Sequence, residues 1–427
     1  MSDEGKKNKI SPVLSDSRSL KTRSSGLAKR GLELLSSRRE RVIHFPTDRS
    51  MGTVYALDLD NPDSEWEELG EAKGIITVPM RMFVDLTVSE EAVIDLSPLS
   101  KLQPNDLQAL CFIFTDLTDA EIVHIQGLIG LIRLELRGTK ITNAGLVNLQ
   151  KLSGLKSLYL SWSWNRITDD GLKYLEKFSE LEYLHLSRAM ITDVGLAYIS
   201  KLTKLQSLNL ILPLITDAGL IHFQKLTGLK ELRLFEIPIT DLGMVYLREL
   251  KGLKILALGQ SYLSSASLYY IRKDLRELGR VIPEITQITD TGLAHLRELS
   301  ELEVLCLRKT KITDYGLVNL HSLTGLNVLD LSFNLITNIG LRLLPKITDL
   351  QRLFLVGTKV TDAGLAHLQE LPNLEWMDLS KTQITDAGLV HLQKLSNLQQ
   401  LDLSHTAVTD SGVTALKRAL PNCTIKL

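Results

Sequence analysis

Residues 360–383 read VTDAGLAHLQELPNLEWMDLSKTQ, and the same pattern begins again at Ile384 as ITDAGLVHLQKLSNLQQLDLSHTA. The shared signature is (I/V)-T-(D/N)-x-G-L-x-x-L-x-x-L-x-x-L-x-x-L-x-L. Clear copies begin at Ile141, Ile167, Ile191, Ile215, Ile239, Ile288, Ile312, Ile336, Val360, Ile384 and Val408. Leu117 opens a variant copy with Glu121 in the glycine position, and Leu263 opens a degenerate one. Most steps are 24 residues long, so the sequence predicts an array of about 13 stacked units.

Each copy is predicted to hold one short helix and one short strand. Leu365, Leu368 and Leu371 recur at a spacing of three, which is typical of the buried stripe of a helix. Met377 and Leu379 then alternate with polar residues, as in a strand with one face inward. One copy cannot bury its own apolar face, so stacking of neighbouring copies must supply the core.

Two residues near the start of each copy receive specific roles in this interpretation. Asp362 is expected to cap its own helix through its carboxylate, an interaction of about 1 kcal/mol. Gly364 is expected to leave room where neighbouring copies pack closely. Stacked strands lie about 4.8 Å apart whereas packed helices need roughly 8–10 Å. The array should therefore bend, with a parallel sheet on the concave side and helices on the convex side.

The repeated T-D-x-G-L-x-x-L motif resembles the leucine-rich-repeat family, over residues 106–427. It is similar to long bacterial arrays and, more distantly, to the repeats of F-box-type substrate adaptors. The resemblance implies an α/β solenoid, a curved horseshoe with strands inside and helices outside. It also implies a module that binds a protein partner and carries out no catalysis.

The chain is divided by pattern into three parts. Residues 1–50 are basic and are expected to form a mostly disordered tail, with a possible short helix over 25–42. Residues 51–105 are assigned to an N-terminal cap in which 53–59, 74–79 and 83–88 are read as short strands. Residues 106–427 form the solenoid, ending in an edge strand over 423–427. The unit at 263–287 is irregular because Pro283 occupies a strand position, and we expect it to split the array into two segments.

Composition and motif searches exclude several classes of function. The net charge of −1 is not that of a nucleic-acid-binding protein, and no run approaches the roughly 18 apolar residues of a membrane span. The sequence contains no nucleotide-binding, hydrolase or zinc-protease signature. The three cysteines lie far apart and no apolar leader opens the chain. We therefore expect a cytoplasmic, monomeric protein that has no catalytic residues, metal or cofactor.

Five histidines share one repeat position, which raises the question of a metal site. They are His124, His222, His295, His367 and His391. Helices of neighbouring copies lie roughly 10 Å apart, too far for shared coordination at about 2.1 Å per bond. We interpret them as solvated positions on separate helices.

The residues that flank the inward leucines project from the concave face and vary from copy to copy. The copies from Ile141 to Ile239 carry an aromatic and polar group there, extended by a two-residue insertion. We predict this group as the main partner site: Tyr159, Trp162, Trp164, Tyr183, His185, Asn209, Arg233 and Phe235. In the alternative interpretation, both tryptophans fold back to fill the gap that the insertion makes.

A second concave group lies nearer the carboxyl terminus and is acidic in character. It consists of Asp330, Phe354, Trp376, Asp378 and Asp402. Its charge favours a basic partner segment, and the alternative is ordinary variety of the concave face.

Three functions are compatible with these patterns. The first is a non-enzymatic module that holds a protein partner in the concave face. The second is the substrate-recognition subunit of a ubiquitin-ligase-like complex, although residues 25–50 lack an F-box pattern. The third is a bacterial effector, which rests on the resemblance alone.

Overall fold

The computed structural model of this chain describes residues 40–61, 64–161, 166–212, 214–260 and 286–427. These residues belong to two compact units, which meet between Met190 and Ile191 in sequence. Each unit is described by itself below. The possible helix over 25–42 lies outside the described residues except for its last three positions.

The first unit opens with a cap of five strands. These are β1 (Glu40–His44), β2 (Gly52–Asp58), β3 (Glu67–Glu71), β4 (Ile75–Pro79) and β5 (Met82–Val88). Strand β1 pairs antiparallel with β4, and β2 pairs antiparallel with both β3 and β5. The three strands read from the sequence correspond to β2, β4 and β5, whereas β3 was missed. Strand β1 shows that the chain is already folded at Glu40, inside the segment that was assigned to the tail.

The cap continues directly into the repeats of the first unit. Their strands are β6 (Ala109–Ile113), β7 (Arg133–Arg137), β8 (Ser157–Ser161) and β9 (Tyr183–Ser187). Strand β5 pairs parallel with β6, placing Leu86 opposite Leu110, and β6 to β9 follow in chain order. The cap therefore supplies a paired neighbour for the first repeat strand, so that this strand is not an exposed edge.

The second unit contains nine parallel strands in chain order. They are β10 (Ser207–Ile211), β11 (Glu231–Phe235), β12 (Ile255–Gly259), β13 (Val304–Cys306), β14 (Val328–Asp330), β15 (Arg352–Phe354), β16 (Trp376–Asp378), β17 (Gln400–Asp402) and β18 (Thr424–Lys426). Each strand faces its neighbour in register, as in the pairing of Leu329 with Leu353. The last strand, β18, pairs parallel with β17 and occupies the place expected for the final edge strand.

Short helices connect the strands. The α-helices are α1 (Asn143–Asn148), α2 (Asp169–Leu172), α3 (Asp193–Ile199), α4 (Asp241–Leu247), α5 (Asp290–Leu293), α6 (Asn338–Leu341), α7 (Asp362–Leu365) and α8 (Asp410–Ala419). The 3-10 helices are Ala92–Ile94, Ser97–Lys101, Ile122–Ile125, Leu149–Lys151, Lys173–Lys177, Asp217–Lys225, Ala294–Leu296, Asp314–Leu320, Leu344–Lys346, Leu368–Glu370 and Gly388–Leu392. Leucines from helix and strand are fully buried together, as Leu317, Leu320 and Leu329 show. The predicted solenoid of strands and helices is thus confirmed.

The irregular unit at 263–287 does not interrupt the sheet. Strand β12 pairs directly with β13, so that Leu256 lies opposite Leu305. The Gln287 amide likewise donates to the Ile239 carbonyl, across a gap twice the usual repeat length. The sheet is therefore continuous from β12 to β13, although the sequence of the irregular unit lies between these two strands. Residues 261–285 themselves lie outside the described part of the chain.

The T-D pair of the signature links each turn to the next. The amide of Thr337 donates to Oδ1 of Asp314 at 2.8 Å, and its hydroxyl donates to Oδ2 at 2.6 Å. The same Thr337 hydroxyl accepts from the Ile339 amide at 3.2 Å and so caps its own helix. Asp362 was expected to cap its own helix, but its carboxylate instead accepts from Thr385 of the following turn. The threonine side chain is therefore the usual cap, and the aspartate is the link between turns.

The glycine of the signature makes room for this link. A Cβ at Gly340 would overlap Oδ1 of Asp314, and a Cβ at Gly364 would overlap Oδ1 of Asn338. This confirms that the glycine leaves space between neighbouring copies, and it identifies the aspartate or asparagine of the preceding turn as the atom that needs the space. The first copy differs, because its threonine is bonded to a carboxylate of its own turn. Glu121 stands in the glycine position and accepts from the Thr118 amide at 3.1 Å and the Thr118 hydroxyl at 2.5 Å.

Loss of one link should weaken the array measurably. We expect Asp314→Ala to lower the free energy of unfolding by about 1–2 kcal/mol, because the Thr337 amide and hydroxyl lose a charged acceptor. Asp314→Asn is the matched control, since Asn338 makes the equivalent pair with Thr361 through 2.8 and 2.9 Å hydrogen bonds. Urea denaturation of the three proteins measures the effect. Equal stability of wild type and Asp314→Ala would refute the role of the link.

The spatial requirement of the glycine predicts a non-additive pair of substitutions. Gly340→Ala should destabilise the protein by about 1–3 kcal/mol, because the new Cβ pushes against the Asp314 carboxylate. Gly325→Ala should change stability by less than about 0.5 kcal/mol, since the nearest atom to its Cβ is 3.9 Å away. Adding Gly340→Ala to Asp314→Ala should have a smaller effect than adding it to the wild type. Strict additivity in a double-mutant cycle would contradict the overlap.

Candidate binding surface

The strand face is defined here as the residues that alternate with the buried leucines of each strand. In β8 these are Ser157, Tyr159 and Ser161, while Leu158 and Leu160 point into the core. Every side chain of the two predicted partner-binding groups that lies in a described strand occupies such a position. Their exposure, however, differs strongly along the chain.

In the first unit the predicted aromatic residues are packed against one another. Tyr159 exposes 3% of its surface, since the Arg137 guanidinium lies 5.2 Å from its ring centroid and the His185 ring lies at 6.0 Å. Tyr183 is half-buried and packs against an apolar cluster of the cap that includes Leu57. Trp162 and Trp164 lie outside the described residues. This part of the strand face is therefore mostly closed by its own side chains.

A charged cluster beside Tyr159 was not found from the sequence. The Arg133 guanidinium lies 3.4 Å from the Asp85 carboxylate, 3.4 Å from the Glu135 carboxylate and 3.2 Å from the Cys111 sulfur. Burial raises the pKa of the Cys111 thiol, and the Asp85 charge raises it further. These residues are spread over three strands, β5 to β7, so only the register of the sheet brings them together.

In the second unit the remaining residues of the first predicted group are also buried. Asn209 exposes 7% of its surface, Arg233 8% and Phe235 7%. Arg233 lies opposite Asn209 in the register and forms an ion pair with Glu231, whose carboxylate also accepts from the Ser207 hydroxyl at 2.8 Å. These side chains are held by neighbours of their own strand face and present little surface to a partner.

The second predicted group contains the more accessible side chains. Asp330 and Phe354 are fully buried, but Trp376, Asp378 and Asp402 are partly exposed. The Trp376 ring lies 5.9 Å from the Phe354 ring, which anchors its inner edge. Strands β16 and β17 therefore carry an aromatic and acidic surface that is partly exposed to solvent, called the acidic strand surface below and defined as Trp376, Asp378 and Asp402.

A repeated Asp-Leu-Ser sequence holds the carboxylates of this surface. Oδ1 of Asp378 accepts from the Ser380 amide at 2.9 Å, and Oδ1 of Asp402 accepts from the Ser404 amide at 2.9 Å. Each hydrogen bond closes a tight turn between the aspartate and the residue two places later. The second oxygen of Asp402 accepts from the Lys426 ammonium at 2.7 Å.

The two exposed carboxylates differ in their electrostatic surroundings. Burial raises the pKa of Asp378, the Ser380 hydrogen bonds oppose this rise, and the Asp402 and Asp330 charges add to it. Burial also opposes ionisation of Asp402, but the Lys426 ammonium at 2.7 Å and Ser404 outweigh it and lower the pKa. Among the described residues no lysine or arginine forms an ion pair with Asp378. A positive charge brought to Asp378 from outside would therefore be stabilising.

In the described ranges, no group of three or more histidine, cysteine, aspartate or glutamate side chains could hold a metal ion. Burial raises the pKa of the Cys306 thiol, so this cysteine is not a thiolate near neutral pH. No helix in the part of the chain that the structure describes is both long and apolar enough to cross a bilayer.

Two family models match parts of the repeat array. Residues 348–408 match a leucine-rich-repeat family model, and residues 155–175 match a second leucine-rich-repeat model. No curated protein matches this chain. The stacked strand-and-helix turns define the class of repeat solenoids. With these matches, the chain is a leucine-rich-repeat protein.

Three of the solved structures that match this chain come from bacteria. An internalin, inlF, of Listeria monocytogenes is 25% identical, with 79% of this chain and 88% of that chain covered and a TM-score of 0.52. Internalin C2 of the same organism is 26% identical, with 55% and 84% covered and a TM-score of 0.36. A leucine-rich-repeat protein of Leptospira interrogans is 20% identical, with 77% and 97% covered and a TM-score of 0.34.

The opposite pKa directions of Asp378 and Asp402 predict opposite effects on stability. A raised pKa means that ionised Asp378 disfavours folding, so Asp378→Asn should stabilise the protein at pH 7. This advantage should shrink as the pH falls through the raised pKa and disappear below the ordinary carboxyl value of about 3.9. Asp402→Asn should instead destabilise the protein at pH 7, because the ion pair with Lys426 is lost.

Denaturation curves of the wild type and both variants between pH 8 and pH 4 measure these effects. A loss of stability in Asp378→Asn at pH 7 would show that the Asp378 carboxylate is compensated in the folded protein and would contradict the assignment.

Proposed function

We propose that this protein is a non-enzymatic module that binds a protein partner through the acidic strand surface, and that the partner presents a basic segment. The membership in the leucine-rich-repeat family supports the general role, because this fold is typical of protein-protein interaction modules. The location of the site rests on one observation, the partly exposed carboxylate of Asp378, which forms no ion pair with a lysine or arginine of the described residues.

Asp378 is arranged in a way that binding explains better than folding does. Its carboxylate lies partly buried beside two further carboxylates, and this environment raises its pKa. Ionisation of this group disfavours the folded state at neutral pH, although its Oδ1 atom also closes the turn with Ser380. An ammonium or guanidinium group of a partner would offset the free-energy cost of ionising Asp378, because an opposite charge within about 4–6 Å favours the ionised form.

Trp376 supplies the apolar part of the same surface. It is one of the aromatic types that most often anchor interfaces, and Phe354 supports its ring from the next strand. The Arg352 guanidinium already lies 5.8 Å from the centroid of the Trp376 ring. This contact shows that the ring accepts a cation at that distance, and a partner arginine or lysine can use the remaining exposed surface in the same way.

The group around Tyr159 and Arg233 is the alternative location for the partner. Its described side chains expose less than a tenth of their surface, apart from Tyr183, which is half-buried. A partner would have to displace contacts that already fill this part of the strand face. We therefore rank it second and keep Trp162 and Trp164 as a separate test. No observation favours the ubiquitin-ligase or bacterial-effector alternatives over a general binding module, and the cytoplasmic location stays a prediction from the sequence.

Selection from a random-peptide display library tests the site and the chemistry together. The wild type should enrich peptides that combine lysine or arginine with an apolar residue. A variant with Trp376→Ala and Asp378→Asn should lose this enrichment. A synthetic copy of an enriched peptide should bind the wild type at least tenfold more weakly at 500 mM than at 50 mM salt, because the attraction is screened.

Two control variants make this experiment decisive. Val390→Ala changes an exposed apolar residue outside the strand face and should leave the selection unchanged. Trp162→Ala with Trp164→Ala should also leave it unchanged. Selection of peptides without basic residues, or loss of enrichment only in the tryptophan pair at 162 and 164, would move the site away from the acidic strand surface.

A further inference from the structure

A second unusual surface lies in the second unit, on the loops that carry the T-D-x-G motif. The residue written x is small or polar in most copies: Ala144, Asp170, Ala218, Thr291, Ala363, Ala387 and Ser411. It is large and apolar at Val194, Leu242, Tyr315 and Ile339, and the last two lie in consecutive turns. Tyr315 exposes 85% of its surface and Ile339 exposes 64%. The motif does not require these residues, because the threonine makes the cap and the glycine makes the room.

Two more apolar side chains join this pair into one patch. Leu335 exposes 52% of its surface and forms a bridge with Thr313, two residues before Tyr315. Val318 exposes 48% and lies one helical turn after Tyr315. Tyr315, Val318, Leu335 and Ile339 are called the edge patch below. Leu242, at the x position two turns earlier, exposes 74% and extends the apolar surface beyond Thr291.

We propose that the edge patch is the contact surface for a second copy of this chain. Taking roughly 150–200 Å² for a fully exposed large side chain, the four residues offer roughly 450 Å² per copy. A symmetric pair would thus bury roughly 900 Å² from these residues alone, before their polar neighbours and Leu242 are added. A specific interface needs roughly 1,000–1,200 Å² in total, so the edge patch with its rim is large enough.

The order of residues along the edge fits a twofold contact. In such a contact each residue meets a different residue of the second copy, and that relation is reciprocal. A twofold axis between the turns of Tyr315 and Ile339 places Tyr315 against Ile339 of the second copy, and Ile339 against Tyr315. The small residues Thr291 and Ala363, one turn further out, then face each other and allow close approach.

The charges near the patch are compatible with the same axis. Two exposed lysines, Lys311 and Lys359, flank Leu335 along the edge. Under the twofold relation Lys311 faces Leu335 of the second copy and Lys359 faces Gln287. Asp314 likewise faces Asn338, because the copy that begins at Ile336 has asparagine in place of the signature aspartate. Like charges therefore do not meet at the centre of the contact, where their repulsion would be strongest.

Sedimentation and light scattering of the full chain test the proposal. The wild type is expected to show a mass close to twice that of one chain at about 50 μM. Tyr315→Glu should weaken the association by roughly thirtyfold or more, because it places a carboxylate at the centre of an apolar contact. Val390→Glu is the matched control: Val390 is 55% exposed in the same unit but lies outside the edge patch, so its variant should still form the dimer.

Cysteine pairing tests the predicted geometry directly. The three natural cysteines are buried, so they give little background. When single variants Tyr315→Cys and Ile339→Cys are mixed and oxidised, a disulfide should form between the two different variants in preference to either with itself. A monomeric wild type at 50 μM would overturn the proposal, and so would a dimer that is unaffected by Tyr315→Glu.

The edge patch and the acidic strand surface share no residue, so each can be tested without the other. The variant with Trp376→Ala and Asp378→Asn should remain dimeric, and Tyr315→Glu should retain peptide binding. Circular dichroism and thermal unfolding check that each variant is folded, which is expected because Tyr315 is among the most exposed large side chains of the described residues.

Discussion

The structure depends on one repeated interaction, which joins the threonine of each turn to the aspartate or asparagine of the turn before, just before the helix begins. An aspartate accepts from both the amide and the hydroxyl of the threonine, whereas an asparagine accepts from the amide and donates to the hydroxyl. Where the partner is an aspartate, the same threonine hydroxyl also caps the helix of its own turn, so the link between turns and the start of the helix are formed together. The glycine two residues after the aspartate is part of the same arrangement, because it leaves room for the aspartate or asparagine side chain of the preceding turn. A signature of four residues thereby controls both spacing and helix initiation.

Because these contacts pass only between neighbouring turns, the array tolerates additions that would disrupt a globular core. Asp241 makes the standard pair with Thr289 although 48 residues separate them, twice the usual interval. Strand β12 then meets β13 as if nothing had been inserted. The degenerate unit that begins at Leu263 lies between these two strands in sequence. The sequence period shows how often the pattern occurs. Stacking of one turn on the next also requires the link between aspartate and threonine and a strand edge that is free to pair.

The sequence was sufficient to predict the solenoid because leucine spacing reports directly on which side chains are buried. It was less informative about the atoms that each polar residue meets. Asp362 precedes a helix and was read as its cap, whereas its partner Thr385 lies 23 residues later and only the stacked structure brings them together. The binding surface shows the same limit. Strand alternation correctly places Tyr159 and Asp378 on the strand face, but Tyr159 is covered by Arg137 and His185 from adjacent strands, while Asp378 is open. Exposure of a strand-face residue depends on its neighbours in the sheet, which no single repeat contains.

In a repeat array, the residue that most copies share at a position shows what the fold requires there. A residue that departs from it is a candidate for function. At the x position most copies have alanine, serine, threonine or aspartate, and two consecutive turns have an exposed tyrosine and an exposed isoleucine that the turn itself does not require. On the strand face the scaffold accepts small or paired side chains, as at Ala257 and at Lys426 with Asp402. Asp378 departs from that background because its partly buried carboxylate forms no ion pair with a lysine or arginine of the described residues. The two departures lie on different surfaces of one unit and have different chemistry, apolar at the loop edge and acidic at the strands. A partner bound at the strands and a second copy bound at the edge would therefore not compete for the same side chains.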